Sequence, residues 1–229
     1  MYKTASIAFV EVRRRLALPC AICVLVMLSM CDSANHAEAS AFRSIDEQCD
    51  QGDLKQTSGP CETIRLLKNS RVTWTYPDFG FRWNEDTLDY IVYFTTTRAG
   101  RALVGSWLRI LPRFEYLIDH VADAAGVPRS LKYVAMIESA FAPTTKSSKG
   151  AKGVWQFLPT TAMSYGLIVR NGLDQRLDPL RSTWVAMHFF KDLYQQLGTW
   201  ELAMAAYNAG PGAVLQSIRK FSDINFWHI

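Results

Sequence analysis

The chain has 229 residues, 49% of them hydrophobic and 20% charged, with a formal net charge of +4. That composition suits one globular domain with accessory segments and excludes a disordered chain or a multi-pass membrane protein. The positive balance is mild and lacks the runs of Lys and Arg between aromatics that line a nucleic-acid groove, so no nucleic-acid partner is expected.

Arg13, Arg14 and Arg15 precede an apolar run from Leu16 to Met30, and small and polar residues follow. This is the order of a secretory signal. The run is 15 residues long, shorter than the roughly 20 that span a bilayer. Ala37-Glu38-Ala39 offers a small-x-small cleavage site, so residues 1–39 read as a signal peptide, with cleavage after Ala39 or Ala41. Export to the periplasm or outer membrane follows. The alternatives are a lipid anchor on Cys31 or an uncleaved leader, either of which gives membrane association through the N-terminus. Against lipidation, Met30 is bulky where a small residue precedes the modified cysteine.

Processing would leave Cys49 and Cys61 of the five cysteines. Twelve residues apart in an exported chain, they favour a local disulfide over metal binding. His36, His120, His188 and His228 are scattered, which fits surface or core histidines and no metal site. No organic cofactor is indicated either.

Residues 40–104 read as an N-terminal extension. Residues 40–80 are polar and marked by Gly, Pro and Ser, with a strand signal limited to RVTWTY at 71–76. From Asn84 the pattern turns helical: Leu88, Ile91 and Val92 form an i, i+3, i+4 stripe behind NEDT, and a second segment runs through Leu103, Trp107 and Leu108. Pro112 opens another helix over Phe114, Leu117, Ile118 and Val121, which Gly126 closes, and Pro128 starts the next. Downstream, Asp178-Pro179 reads as a cap and first turn, Gly198 as a stop, Thr199 as a cap and Gly210 as a stop. A mostly α domain over 105–229 is predicted.

Within SLKYVAMIESAF, Leu131, Val134, Ala135 and Glu138 are spaced i, i+3, i+4, i+7, which places the carboxyl on a buried stripe. Apolar surroundings disfavour a carboxylate, so the pKa of Glu138 is expected above the ordinary value of about 4.3, as a general acid requires. Taken alone, Glu138 reads first as a residue that pairs with a Lys or Arg, or caps backbone amides, and only holds the helix in place. SKGAKGVWQF follows, with turn-permitting Gly150 and Gly153 and then Trp155, Gln156 and Phe157. An amide beside aromatic faces suits an N-acetylated sugar, and core packing is the alternative for both aromatics. LAMAAYNAGPG then sets Tyr207 and Asn208 at a helix end, where Asn208 is otherwise a plain helix-terminal residue.

Together ESAF at 138–141, SSKGAKGVWQFLPTTA at 147–162 and AAYNAGPG at 205–212 resemble the signature of soluble lytic transglycosylases of the lysozyme-like superfamily. GVWQF is most similar to the membrane-bound murein transglycosylase D type. The Asp-x-Arg-x-Asp-Pro order in DQRLDPLRSTW at 174–184 and its surroundings also resemble that branch, so the similarity covers about residues 105–221. It implies an all-α, lysozyme-like domain with a cleft for peptidoglycan strands, and non-hydrolytic cleavage of the β-1,4 bond between N-acetylmuramic acid and N-acetylglucosamine. Glu138 would be the sole catalytic carboxylate, protonating the leaving oxygen and then taking the proton of the muramic acid's 6-hydroxyl as a 1,6-anhydro ring closes. Ser139 would support Glu138, while Ser147, with Ser148 as the alternative, Gln156, Tyr207 and Asn208 would contact substrate.

A single acid fits the composition of the neighbourhood: between Ser139 and Leu173 there is no Asp or Glu, only Lys146, Lys149, Lys152 and Arg170. Ordinary glycosidases need two carboxylates, and Asp174, Asp178 or Glu201 would have to approach in space to supply the second. A goose-type hydrolase on the same fold and a catalytically inactive peptidoglycan-binding module are therefore the competing expectations. Family members continue past the helix after AYNAG and often carry lysin motifs. This chain stops at SDINFWHI, which leaves a shortened domain or a truncated sequence.

Overall fold

The computed structural model describes residues 96–226 together with Tyr90, Tyr93 and Phe94, and the chain divides into two units between Val104 and Gly105. The leader, the three cysteines Cys31, Cys49 and Cys61, the strand signal at 71–76 and the stripe Leu88, Ile91 and Val92 lie outside the described residues. In the first unit, Thr97 Oγ1 donates to Tyr93 O at 2.7 Å and accepts from Gly100 N at 2.9 Å. Backbone packs so tightly there that a Cβ on Gly100 would come 2.1 Å from Tyr93 O.

The described residues are mostly helical. Helix α1 spans Arg98–Ile110 and α2 Pro112–Ala125; a 3₁₀ turn at Arg129–Leu131 leads into α3, Lys132–Ser139. After a long irregular stretch come α4, Pro159–Ser164, a hairpin of β1, Val169–Arg170, and β2, Leu173–Asp174, then a second 3₁₀ turn at Gln175–Leu177. Three helices complete the unit: α5, Pro179–Leu197; α6, Trp200–Ala209; and α7, Pro211–Phe221.

Local chemistry sets these boundaries. Proline occupies the first turn of α2, α4, α5 and α7, where its missing N–H costs no intrahelical bond. Asp178 caps α5 by accepting from Leu180 N at 2.9 Å and Arg181 N at 3.1 Å, and Thr199 caps α6 through Leu202 N. Gly126 ends α2 at φ +70 with its N–H on Ala122 O, and Val127 N returns to the same carbonyl, an αL closure that glycine adopts at little cost.

Helix α5 packs against α2 on one side and α6 on another, and α6 in turn packs on α7. Ile118, Ala122, Ala186, Met187, Phe190, Leu202, Ala203 and Ala206 are buried between them. The alanines of α6 let its backbone approach closely. Lys191 Nζ donates to Ala125 O at 2.7 Å and so fastens α5 to the end of α2.

Two features depart from the sequence reading. The domain contains a small antiparallel hairpin, with Val169 opposite Asp174 and Arg170 opposite Leu173. Strands of two residues are too short to show any alternation. In addition, α3 is buried at all eight positions, Lys132 through Ser139, so the stripe through Glu138 understates how fully its helix is enclosed.

Candidate active site

Glu138 sits in the last turn of α3 and is 7% exposed. The helix stops abruptly after it. Ala140 is αL at φ +53 with its N–H on Met136 O, and Phe141 follows at φ +58. Positive φ at non-glycine residues costs energy and persists only where packing enforces it. Phe141 supplies that packing: it is 1% exposed and stacks on Phe114 with centroids 5.3 Å apart.

The chain then folds back on itself between residues 145 and 157. Lys152 forms backbone bridges to Lys146 and to Phe157. Ser147 N donates to Ala151 O at 2.9 Å and its Oγ accepts from Ala151 N at 3.0 Å. Gly153 N donates to Thr145 O, and Gly153 itself, at φ +83, lies so near Arg176 that a Cβ would stand 1.8 Å from Arg176 O. Only glycine fits there.

This loop fastens three elements. From α3, Ser139 Oγ lies 2.7 Å from Val154 O, with Ala135 O as a second acceptor at 3.2 Å. From α6, Tyr207 donates its hydroxyl to Trp155 O at 2.6 Å. From α5, Thr183 Oγ1 accepts the Trp155 indole N–H at 2.9 Å. The end of α6 thereby reaches Glu138, and Asn208 Nδ2 donates to Glu138 Oε1 at 3.4 Å.

Tyr207 lies flat on Phe190, with centroids 4.4 Å apart and planes 10° from parallel. Burial first, and the charge of Glu138 second, push its phenol well above the ordinary tyrosine value. Tyr207 therefore stays a proton-bearing donor, and its sensitivity to Glu138 reflects how near the two groups are.

The residues singled out in the sequence occupy distinct places. Glu138, Tyr207 and Asn208 meet at the junction of α3 and α6, with Asn208 exposed. Ser139 is buried, its hydroxyl directed at backbone oxygens. Ser147 is half-buried within the loop turn and Ser148 is exposed. Gln156 is the least foreseen. It is 7% exposed at φ +51, and its Nε2 donates to Thr145 O and Gly153 O. Both of its donors serve the loop, not a ligand, and its Oε1 is a buried oxygen without a hydrogen-bond partner among the described residues.

Of the carboxylates that might have joined Glu138, Asp174 and Asp178 are engaged elsewhere and Glu201 lies at the far end of its helix. Arg176 forks onto Asp174 through Nε at 2.9 Å and Nη2 at 2.7 Å, and Lys152 Nζ adds a third contact at 2.9 Å. The Arg176 hydrogen bond above all holds Asp174 well below the usual carboxylate range. Asp178 caps α5, and Glu201 stands in the first turn of α6, at the opposite end of the helix from Asn208. The described residues hold no group of three His, Cys, Asp or Glu able to bind a metal ion, and no described helix is long and apolar enough to cross a membrane.

A cavity of about 420 Å³ lies against α2, lined by Glu115, Tyr116, Asp119, His120, Asp123 and Arg129 together with Pro112. It involves none of the residues around Glu138. Its acids are matched by cations: Lys132 Nζ reaches Glu115 at 2.6 Å and Asp119 at 3.2 Å, and Arg129 Nε donates to Asp123 at 2.7 Å.

Residues 116–229, which include Glu138, the loop and the Tyr207–Asn208 helix end, match the family model described as Transglycosylase SLT domain. This half of the chain is a transglycosylase SLT domain. Among its relatives, the membrane-bound lytic murein transglycosylase D of Escherichia coli (strain K12) is 32% identical over 121 residues, which are 51% of this chain and 27% of that protein. The soluble lytic murein transglycosylase of the same strain is 36% identical over 104 residues, 43% of this chain and 16% of that protein. The chain thus spans well under two thirds of the length of either. A solved structure, the 70 kDa soluble lytic transglycosylase from Escherichia coli, overlaps 97% of this chain and 40% of its own at 20% identity, with a TM-score of 0.45, too loose a match to bear on the fold. In the SLT domain the residues that sequence reasoning missed are Thr145, Val154, Arg176 and Thr183. The first two act through backbone carbonyls, which have no sequence signature.

Proposed function

We propose that the SLT domain is a peptidoglycan lytic transglycosylase that cuts the β-1,4 bond between N-acetylmuramic acid and N-acetylglucosamine without water. The observation that carries the reading is Glu138: a carboxyl 7% exposed, on a helix buried at every position, at the junction where Tyr207 and Asn208 arrive from α6. A carboxyl with so little exposure meets the glycosidic oxygen with few waters to compete, and it donates from its neutral form.

Glu138 protonates the glycosidic oxygen as the bond to C1 of the muramic acid breaks. The resulting carboxylate accepts the proton of that sugar's 6-hydroxyl as its oxygen closes on C1, which yields a 1,6-anhydro end and restores the acid. No second carboxylate and no water enter the balance. Asn208 Nδ2, bonded to Oε1, orients the carboxyl and stabilises it in the interval when it is charged. Tyr207, kept protonated, fixes the end of α6 against the loop. Ser147 would face the strand from the loop, and Gln156, its amide hydrogens engaged, would accept from it only through Oε1, which the strand must first uncover. The signal-like leader, Arg13 to Met30, supports export to the periplasm or outer membrane, where peptidoglycan lies.

The test is digestion of purified sacculi by the protein and by Glu138→Gln. Soluble muropeptides with anhydro ends are expected from the wild type, with release reduced about 10²- to 10⁴-fold in the variant. Muropeptides with reducing ends would favour hydrolysis instead. Sacculus binding without any release would favour an inactive binding module.

A further inference from the structure

The side chain of Arg176 is 4% exposed, yet it lies on neither α3 nor α6 and touches no group with a place in the proposed chemistry. Its fork neutralises it on Asp174. What remains is Nη1, and that nitrogen donates to two carbonyls, Gly150 O at 2.9 Å and Phe157 O at 3.0 Å. These are the two ends of one loop segment. Its middle carries Val154 O, which takes the Ser139 hydroxyl from the Glu138 helix, and Trp155 O, which takes the Tyr207 hydroxyl from the Asn208 helix. On the opposite side the Arg176 carbonyl closes against Gly153, leaving no room for a Cβ.

We infer that Arg176 is a positioning residue for the cutting site: by clamping both ends of the segment from Gly150 to Phe157, it sets the distance between Glu138 on α3 and Tyr207–Asn208 on α6. This rests on the transglycosylase reading above. A guanidinium suits the task because its planar array of donors holds a carboxylate and two carbonyls at once, whereas an ammonium is a point charge on a flexible stem. Catalytic groups displaced by about 1 Å lose on the order of 10²-fold in rate even when binding survives, so the loss should fall on turnover.

The test compares the wild-type protein with Arg176→Lys, and with Arg129→Lys as a control that alters an exposed ion pair elsewhere. Amide hydrogen exchange reads the loop directly: Lys152, Gly153 and Gln156 donate N–H groups within it. In Arg176→Lys these three amides should exchange at least about 10-fold faster, with those of α6 unchanged, because only the clamp has been loosened. On soluble glycan strands, at a temperature where the variant is fully folded, kcat should fall about 10- to 100-fold with KM within about 3-fold. Arg129→Lys should change neither. Unchanged loop exchange in Arg176→Lys overturns the clamp, and loosened exchange with wild-type kcat overturns its link to cutting. A wild-type protein that leaves glycan uncut sinks the transglycosylase reading and the catalytic part of this role with it, while the exchange data still decide whether Arg176 holds the loop.

Discussion

Two parts of the domain hold carboxyl groups, and they set them among different neighbours. Against α2, Glu115, Asp119 and Asp123 line an open cavity, and each is met by a cation, Lys132 or Arg129. At the end of α3, Glu138 is enclosed by its own buried helix and receives an amide, Asn208. Pairing does not act alike on the cavity's acids: the Arg129 hydrogen bond lowers the pKa of Asp123, whereas burial outweighs Lys132 and raises that of Asp119. Glu138 has the Asn208 amide within hydrogen-bond reach and the Tyr207 phenol close enough for its charge to act on. None of the residues lining the cavity belongs to the junction at Glu138.

The contrast can be broken most severely through Gly153→Ala. The new Cβ would meet Arg176 O at 1.8 Å, at a φ of +83 that L side chains rarely adopt. Stability measured by denaturant unfolding should drop by ~3 kcal/mol or more, and cutting should be lost with the loop that holds α3 to α6. A near-neutral Gly153→Ala would mean that the loop is not the tight junction described above.

Lys132→Met tests the other side. Lys132 is 3% exposed; burial pushes its pKa down, but the hydrogen bond of Glu115 and the charges of Glu115 and Asp119 raise it above the ordinary lysine value. Removing the only partner of a buried pair costs ~3–5 kcal/mol. Glu115 and Asp119 keep 32% and 22% of their side chains exposed and can regain water, so ~1–3 kcal/mol is expected here. Cutting per folded molecule should be retained. Loss of cutting in a folded Lys132→Met protein would join the two regions that the comparison separates.

The smallest effect concerns acid. Asp174 is held below the usual carboxylate range, chiefly by the Arg176 hydrogen bond. Its folded pKa is lower than its unfolded one, so its stabilisation is complete above the unfolded value of about 3.9 and fades as pH falls towards the folded value. The stability gap between wild type and Asp174→Asn should therefore narrow from pH 5 to pH 2, read from Tm across that range. A gap that stays constant would contradict the pairing.

Much of this was legible in the sequence because its causes are local. Proline at helix starts, Asp178 and Thr199 as caps, and Gly126 and Gly198 as stops each act through their own backbone chemistry, and Glu138 was exposed by its period. The hub of the site was not legible. Val154, Trp155 and Thr145 contribute carbonyl oxygens that every residue possesses. The positive φ values at Ala140, Phe141 and Gln156 fall on residues that give no warning of them. Residue type points to a ligand amide at Gln156, but type cannot tell that its donors are consumed 11 and 3 residues away.

The central claim is that Glu138 works alone and that the sugar supplies the attacking oxygen. Digestion of sacculi in water enriched in ¹⁸O, followed by mass spectrometry of the released muropeptides, tests it most directly. Anhydro products without label, absent when Glu138→Gln is used, are predicted. One ¹⁸O at each new reducing end, or unlabelled anhydro products persisting in Glu138→Gln, would contradict it.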